Sequence, residues 1–376
     1  MIGARGVPAT FGGVEHHVEE LGSRLAQRGH EVVVYSRRGY ADPPISRYRG
    51  MQVVALPTVG TKHLDAIVQS TLATLDAVRR GFDIVHYHAI GPGIPAFLPR
   101  YLSPIKVALT VHGLDAQRAK WGRGARAVLS TADWLSARVP DATIVVSRDL
   151  ARHYESVHGR ETEYIPNGVD EPMPAALDEI GRRWGLTRGS YLLFVGRLVP
   201  EKAPDLLLRS FRRMTSRLAL VIAGGSSFTD EYVRALTRAA DADERVLLPG
   251  YVYGDTLNEL YANAAAFVLP STLEGLPLTL LEAVSFGIPV VVSDIPPNLE
   301  VVGSEGPGHR VFAAGSEAGL LAALQRVTHD AAQEEEGASS LRREILERYR
   351  WEDAVEATET VYRRVLHSGR TDIRRR

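Results

Sequence analysis

At 376 residues, 45% hydrophobic and 24% charged, the chain is too long for one ordinary core and suits two α/β domains. Its 44 basic and 45 acidic side chains leave a net charge of -1, which excludes a general pull toward nucleic acid and confines any anion site to a local feature. The absence of cysteine excludes disulfides, thiolate metal sites and a catalytic thiol.

In chain order, short β-branched runs alternate with helical patterns, which predicts parallel sheets covered by helices. A glycine-rich turn already begins at Gly3, so the first strand, usually central in a doubly wound sheet, is reduced to Met1 and Ile2. Either the start lies further upstream or this domain is less stable than its relatives. The opening has no signal-like apolar run, and no stretch approaches the roughly 18–20 apolar residues of a membrane helix. A cytoplasmic protein is expected. Strands are predicted at Glu31–Tyr35, Gln52–Leu56, Ile84–His88, Lys106–Thr110 and Ala142–Val146, with helices at Val14–Arg28, Leu64–Arg80 and Arg148–Val157. Turn formers crowd Tyr164–Pro174, where the interdomain connection is placed. The alternation then restarts, with strands at Tyr191–Val195, Ala219–Ala223, Arg245–Leu248, Ala266–Leu269 and Val290–Ser293. The matching helices are Ala203–Thr215, Asp230–Ala239, Asp255–Asn263, Leu278–Phe286 and Glu317–Thr328. From Glu335 to Leu366 the pattern reads as nearly continuous helix.

Three constellations carry chemistry. Gly3-Ala4-Arg5-Gly6-Val7-Pro8-Ala9-Thr10-Phe11-Gly12-Gly13 precedes a helix, where backbone N–H groups can approach an anion, although a loop needing positive φ angles explains it equally. Val195-Gly196-Arg197-Leu198-Val199-Pro200-Glu201-Lys202 follows a strand; Arg197 can grip phosphate with a planar fork while Lys202 supplies a point charge. The plain alternative is a surface ion pair with Glu201. The third and most specific is Pro270-Ser271-Thr272-Leu273-Glu274-Gly275-Leu276-Pro277-Leu278-Thr279-Leu280-Leu281-Glu282-Ala283. Pro277 suits a helix's first turn, and Gly275 and Leu276 present N–H groups at its positive end. That geometry can hold a pyrophosphate at the helix end, a sugar beside Glu274 and a ribose diol on Glu282.

The Glu274/Glu282 pair, in S-T-L-E-G-L-P-L-T-L-L-E-A, resembles the signature of retaining GT-B glycosyltransferases of family 4. The opening G-A-R-G-V-P-A-T-F-G-G-V-E, V-H-G at Val111–Gly113, V-G-R-L-V-P-E-K and Y-R-W at Tyr349–Trp351 match that family in order. The opening and Pro57–Leu64 look like its rhamnosyl- or mannosyltransferase branch. The resemblance implies an α/β GT-B fold, two Rossmann-like doubly wound domains with an interdomain cleft. Residues 1–172 would bind the acceptor, 173–345 the nucleotide sugar, and 346–376 would form a helix crossing back. It implies a hexosyltransferase moving sugar from a nucleotide-diphosphate donor to a hydroxyl acceptor (a glycan, a lipid-linked glycan or a small molecule), as in polysaccharide biosynthesis. Gly12 and Gly13 would touch the donor phosphates, and Arg197 and Lys202 would hold the diphosphate. Glu274 with Gly275, Leu276 and Pro277 would meet the sugar and phosphate, and Glu282 the ribose. His112 would lie beside the sugar, and the Pro249-Gly250-Tyr251-Val252 turn would meet the base. No cofactor and no metal are implied.

Lys62 and His63 are candidate acceptor-side residues. The basic pairs Arg342-Arg343 and Arg363-Arg364 and the Arg374–Arg376 tail could touch the inner face of a membrane, with a solvated helix face the commoner explanation. Rival readings are a sugar-nucleotide epimerase of the same fold, a non-catalytic nucleotide-sugar sensor, and a metal hydrolase using His86 and His88 with His112 and His16-His17 nearby. Neither the base, the sugar nor the acceptor is specified by these residues.

Overall fold

The computed structural model describes residues 1–10, 12–58, 65–114, 123–173, 178–225 and 230–368. The chain divides into two compact units, Met1–Gly168 with Trp351–Arg376, and Val169–Arg350.

The first unit opens with α1 (Gly13–Gln27), whose Val18, Leu21 and Leu25 recur at helical spacing and are at most 1% exposed. There follow β1 (Val33–Arg37), β2 (Arg47–Tyr48), β3 (Met51–Leu56), α2 (Asp65–Arg80), β4 (Ile84–His88), α3 (Phe97–Leu102), β5 (Lys106–Val111), α4 (Arg123–Arg138), β6 (Ala142–Val145), α5 (Arg148–His158) and β7 (Glu163–Tyr164). Helix α5 starts where the Ser147 side chain accepts from the Leu150 N–H. Strands β4-β5-β6-β7 form one parallel sheet; β3 lies between β1, parallel to it, and β2, antiparallel. Met1 and Ile2 run between the two sheets. Ile2 exchanges hydrogen bonds of 2.9 and 2.8 Å with His86 and His88 of β4, while the Met1 carbonyl accepts from Tyr35 of β1 at 3.1 Å. These two residues hold the place of the central strand.

The second unit contains α6 (Glu179–Trp184), β8 (Tyr191–Val195), α7 (Pro204–Arg212), β9 (Ala219–Ala223), α8 (Asp230–Ala240), β10 (Val246–Gly250), α9 (Gly254–Asn263), β11 (Ala266–Leu269), α10 (Leu278–Ser285), β12 (Val290–Ser293), α11 (Pro296–Val302), β13 (His309–Phe312), α12 (Glu317–His329) and α13 (Ala331–Arg348). Its strands form one parallel sheet in the order β10-β9-β8-β11-β12-β13. Strand β8 is central, and Tyr191 through Phe194 are fully buried, as expected of a strand covered on both faces. Leu192, Phe194, Leu207, Phe211, Leu220 and Val268 belong to one core cluster. Burial of each such side chain contributes about 1.5–3 kcal/mol.

The chain returns to the first unit as α14 (Trp351–His367), whose Val355 joins the core of α1, β1 and β3. The sequence pattern predicts one nearly continuous helix here, but the structure breaks it at Tyr349–Arg350. Tyr349 adopts φ -118, ψ 63 and its carbonyl accepts from Val169 at 2.7 Å, so a partner outside the helix ends α13. Strand β13 also escapes the pattern, because a four-residue edge strand carrying His309 and Arg310 lacks an apolar run. The proline pair Pro296-Pro297 hides α11, where proline at the first turn starts a helix instead of stopping one.

Candidate active site

In an open parallel sheet, ligands bind beyond the carboxyl ends of the strands, where the chain's winding reverses. In the second unit that point lies between β8 and β11, since β9 and β10 lie on one side and β12 and β13 on the other. The loops leaving these two strands are the ones carrying Gly196–Lys202 and Pro270–Pro277. They are stitched together. Thr272 donates from its N–H to the Glu201 carbonyl at 2.8 Å, and Lys202 Nζ donates to Glu274 Oε1 at 2.5 Å. The Lys202 and Glu274 side chains are only 13% and 8% exposed, so the pair is shielded from solvent and strengthened relative to a surface bridge. Arg197 is half-buried in the same loop.

Pro277 takes the N-cap of α10, one position ahead of the first-turn place expected from its type, and its carbonyl accepts from Leu280 and Leu281. The positive end of α10 therefore opens at Gly275–Pro277. Glu282, on α10, accepts from the Tyr261 hydroxyl at 3.0 Å. Burial and the Glu282 charge push the Tyr261 hydroxyl well above its ordinary range, so it stays a donor. Glu201 is buried with no hydrogen-bond partner on either carboxylate oxygen among the described residues.

Glycine is required at the end of β9. Gly224 sits at φ +142, and a Cβ there would stand 1.9 Å from the Gly196 carbonyl. Beyond β10, Tyr251 stacks on Tyr253 at 5.9 Å and 10°, and both rings are exposed.

In the first unit, four histidines gather where α1, β4 and β5 meet. His17 Nδ1 bonds Asn167 Oδ1 at 2.8 Å; His88 Nδ1 and His112 Nε2 lie 3.4 Å apart; the His17 and His112 rings are 4.5 Å apart. Burial holds all four neutral: His17 falls from 6.5 to about 4, and His86, His88 and His112 fall well below their ordinary value. Nε2 of His17 and of His88 is buried without a partner among the described residues. The loop ahead of α1 is stapled to the helix, with Arg5 N–H donating to Glu15 Oε1 at 3.0 Å and Ala9 N–H to Glu19 Oε2 at 2.6 Å. Gly12 caps α1 in extended backbone, and Gly13, the first helical residue, is exposed. Lys62 and His63 lie outside the described residues.

The model for "Glycosyltransferase Family 4" matches residues 11–171 and that for "Glycosyl transferases group 1" matches residues 179–343. A D-inositol 3-phosphate glycosyltransferase of Geodermatophilus obscurus is 32% identical over 330 residues, covering 76% of this chain and 70% of the relative. The chain is a group 1 glycosyltransferase. Among solved structures, the sucrose-phosphate synthase of Thermosynechococcus elongatus superposes with a TM-score of 0.86 at 19% identity, covering 98% of each chain. The Anabaena HepE protein in complex with UDP and glucose superposes with a TM-score of 0.80 at 16% identity, covering 94% of this chain and 96% of that one. The glycosyltransferase thus has the α/β GT-B fold.

As a glycosyltransferase it moves sugar from a nucleotide sugar, and the hydrolase and epimerase readings find no support. His86 in particular has both ring nitrogens engaged, Nδ1 with the Tyr362 hydroxyl at 2.6 Å and Nε2 with the Thr110 hydroxyl at 2.7 Å. It has no nitrogen left for a metal, against the pairing of His86 with His88 that the H-x-H spacing suggests. Among the described residues, no helix of the glycosyltransferase is long and apolar enough to cross a membrane. Arg363 and Arg364, read from sequence as a basic patch, bond Glu359 and Glu163, and Arg342 bonds Glu171.

Sequence reading missed Tyr261 and Asn167, and it quoted Thr272 within its motif without giving it a role. Asn167 sits in an Asn-Gly pair, whose turn chemistry masks the hydrogen bond its side chain makes to His17.

Proposed function

We propose that the protein transfers a hexosyl group with retention of anomeric configuration and without a metal. The observation that carries this reading is the Lys202–Glu274 pair joining the two loops at the switch point of the second unit. Residues 173–345 take the nucleotide sugar, residues 1–172 take the acceptor, and residues 346–376 carry the helix that returns to the first domain. Lys202 and Arg197 grip the diphosphate together with the positive end of α10 at Gly275, Leu276 and Pro277, neutralising the charge that develops on the leaving group. Lys202 also holds one oxygen of Glu274, which leaves the other for sugar hydroxyls. Glu282, held by Tyr261, takes the ribose diol, and the turn at Tyr251 and Val252 meets the base. Of the first unit's residues, Gly12 and Gly13 are assigned to donor phosphates and neutral His112 to a sugar hydroxyl. Attack comes from the face the diphosphate leaves, with a leaving phosphate oxygen taking the acceptor's proton, which requires no separate nucleophile or base.

The Anabaena neighbour's UDP and glucose make a uridine diphosphate sugar the first donor to try. A thermal-shift screen of UDP, GDP and dTDP sugars, in buffer containing EDTA, tests the reading. One nucleotide series should raise the melting temperature, and proton NMR of the product should show the donor's anomeric configuration. An inverted product, or turnover that requires added magnesium or manganese, refutes the mechanism.

A further inference from the structure

A second constellation lies on α4 and α5 of the first unit. Asp133 on α4 faces two histidines of α5, and both rings turn the same nitrogen to the same carboxylate oxygen. His153 Nε2 is 3.3 Å and His158 Nε2 is 2.9 Å from Asp133 Oδ2. The three ligand atoms all lie within 4.8 Å of one another. Around a tetrahedral zinc ion, with bonds of roughly 2.0–2.1 Å, neighbouring ligand atoms stand about 3.3–3.4 Å apart. Small side-chain adjustments bring this trio to that spacing.

Two imidazole N–H groups shared by one carboxylate would be a sufficient reason for such a cluster if the carboxylate were then satisfied. It is not. Asp133 Oδ1 is buried and has no hydrogen-bond partner among the described residues. An anionic oxygen left dry is costly, and a cation bound across the carboxylate compensates it. The rings are also held in place. Tyr154, between the two histidines in sequence and fully buried, packs against His153 at 5.8 Å and His158 at 5.4 Å. Its hydroxyl pairs with Ser136 Oγ on α4 at 2.5 Å, one turn beyond Asp133. Shielding is partial: side-chain exposures of 7% for His158, 16% for Asp133 and 22% for His153 leave an entry path.

We propose that Asp133, His153 and His158 bind one divalent transition-metal ion, of which zinc is the best fit, as a clip joining α4 to α5. Two imidazoles and one carboxylate suit zinc, whereas magnesium and calcium favour all-oxygen sets and copper(I) favours sulfur. Three protein ligands leave a fourth position for water.

The test uses the full-length chain stripped of metal with a chelator. Titration with Co²⁺ followed by visible absorption should give a tetrahedral spectrum saturating at one equivalent, and calorimetry with Zn²⁺ should give the same stoichiometry. His153→Gln and His158→Gln should each weaken Zn²⁺ binding by at least about 100-fold, and Zn²⁺ should raise the melting temperature of the parent chain but not of the double variant. Melting curves recorded in EDTA show that each variant is folded. His88→Gln, in the other histidine group, should bind like the parent. No binding by the parent chain overturns the proposal. So does parent-like binding by the double variant, or binding lost in His88→Gln and kept in His158→Gln.

Discussion

At the scale of single residues, the roles of Lys202 and Glu274 can be separated by charge and shape. Glu274→Gln keeps the volume and a hydrogen-bond acceptor for Lys202 but removes the charge. We expect kcat/KM to fall at least about 100-fold, equivalent to roughly 2.7 kcal/mol of transition-state stabilisation. The melting temperature should stay within a few degrees, since Glu274 lies in a loop; near-parental turnover would take Glu274 out of the active site. Replacing Arg197 and Lys202 together by alanine removes two charge-assisted contacts of about 1.5–3 kcal/mol each. The affinity for the nucleoside diphosphate product, read by calorimetry, should drop about 100-fold or more, and unchanged affinity contradicts the assignment. These residues were legible in the sequence because each motif is a contiguous stretch whose strand–turn–helix context can be read locally. Tyr261 and Asn167 were not, because their partners Glu282 and His17 stand 21 and 150 positions away.

Among the elements, α14 shows how a segment distant in sequence completes a core. Its Tyr362 hydroxyl occupies His86 Nδ1, and its Glu359 bonds Arg28 and His30 beside the end of α1. Tyr362→Phe would leave a buried ring nitrogen without its partner, at a cost of about 1–3 kcal/mol. Chemical denaturation should show that loss in the midpoint with an unchanged slope; an unchanged midpoint means the contact contributes nothing net. At the opposite end of the problem, most strands of the three sheets could be read to within two residues, since a run such as Tyr191–Val195 is apolar throughout and bounded by turn formers. Strand β13 and the break between α13 and α14 could not, because an edge strand need not be apolar and the break depends on Val169.

For the whole molecule, the buried histidines tie stability to pH. His17 has its pKa lowered from 6.5 to about 4 by desolvation, and burial also lowers His86, His88 and His112 well below the ordinary histidine value. Between those values the unfolded chain takes up protons that the folded chain refuses, so stability is complete above pH 6.5 and falls as the pH drops toward 4. Each such ring contributes a slope approaching about 1.4 kcal/mol per pH unit in that window. Melting temperatures measured from pH 7.5 to 4.5 should decline below 6.5, and His17→Asn should flatten part of the decline. A profile flat to pH 5 would mean that the rings are solvated.

The sequence by itself determined the fold class and the family and singled out the candidate donor residues, because periodicity, turn chemistry and motif spacing are all properties of neighbours along the chain. Only the tertiary structure decided which of those residues touch. It paired Lys202 with Glu274, engaged both nitrogens of His86, gave Met1 and Ile2 the place of a strand, and set two histidines of α5 on one aspartate of α4. Burial and long-range hydrogen bonding arise from packing, and packing is not a function of sequence separation.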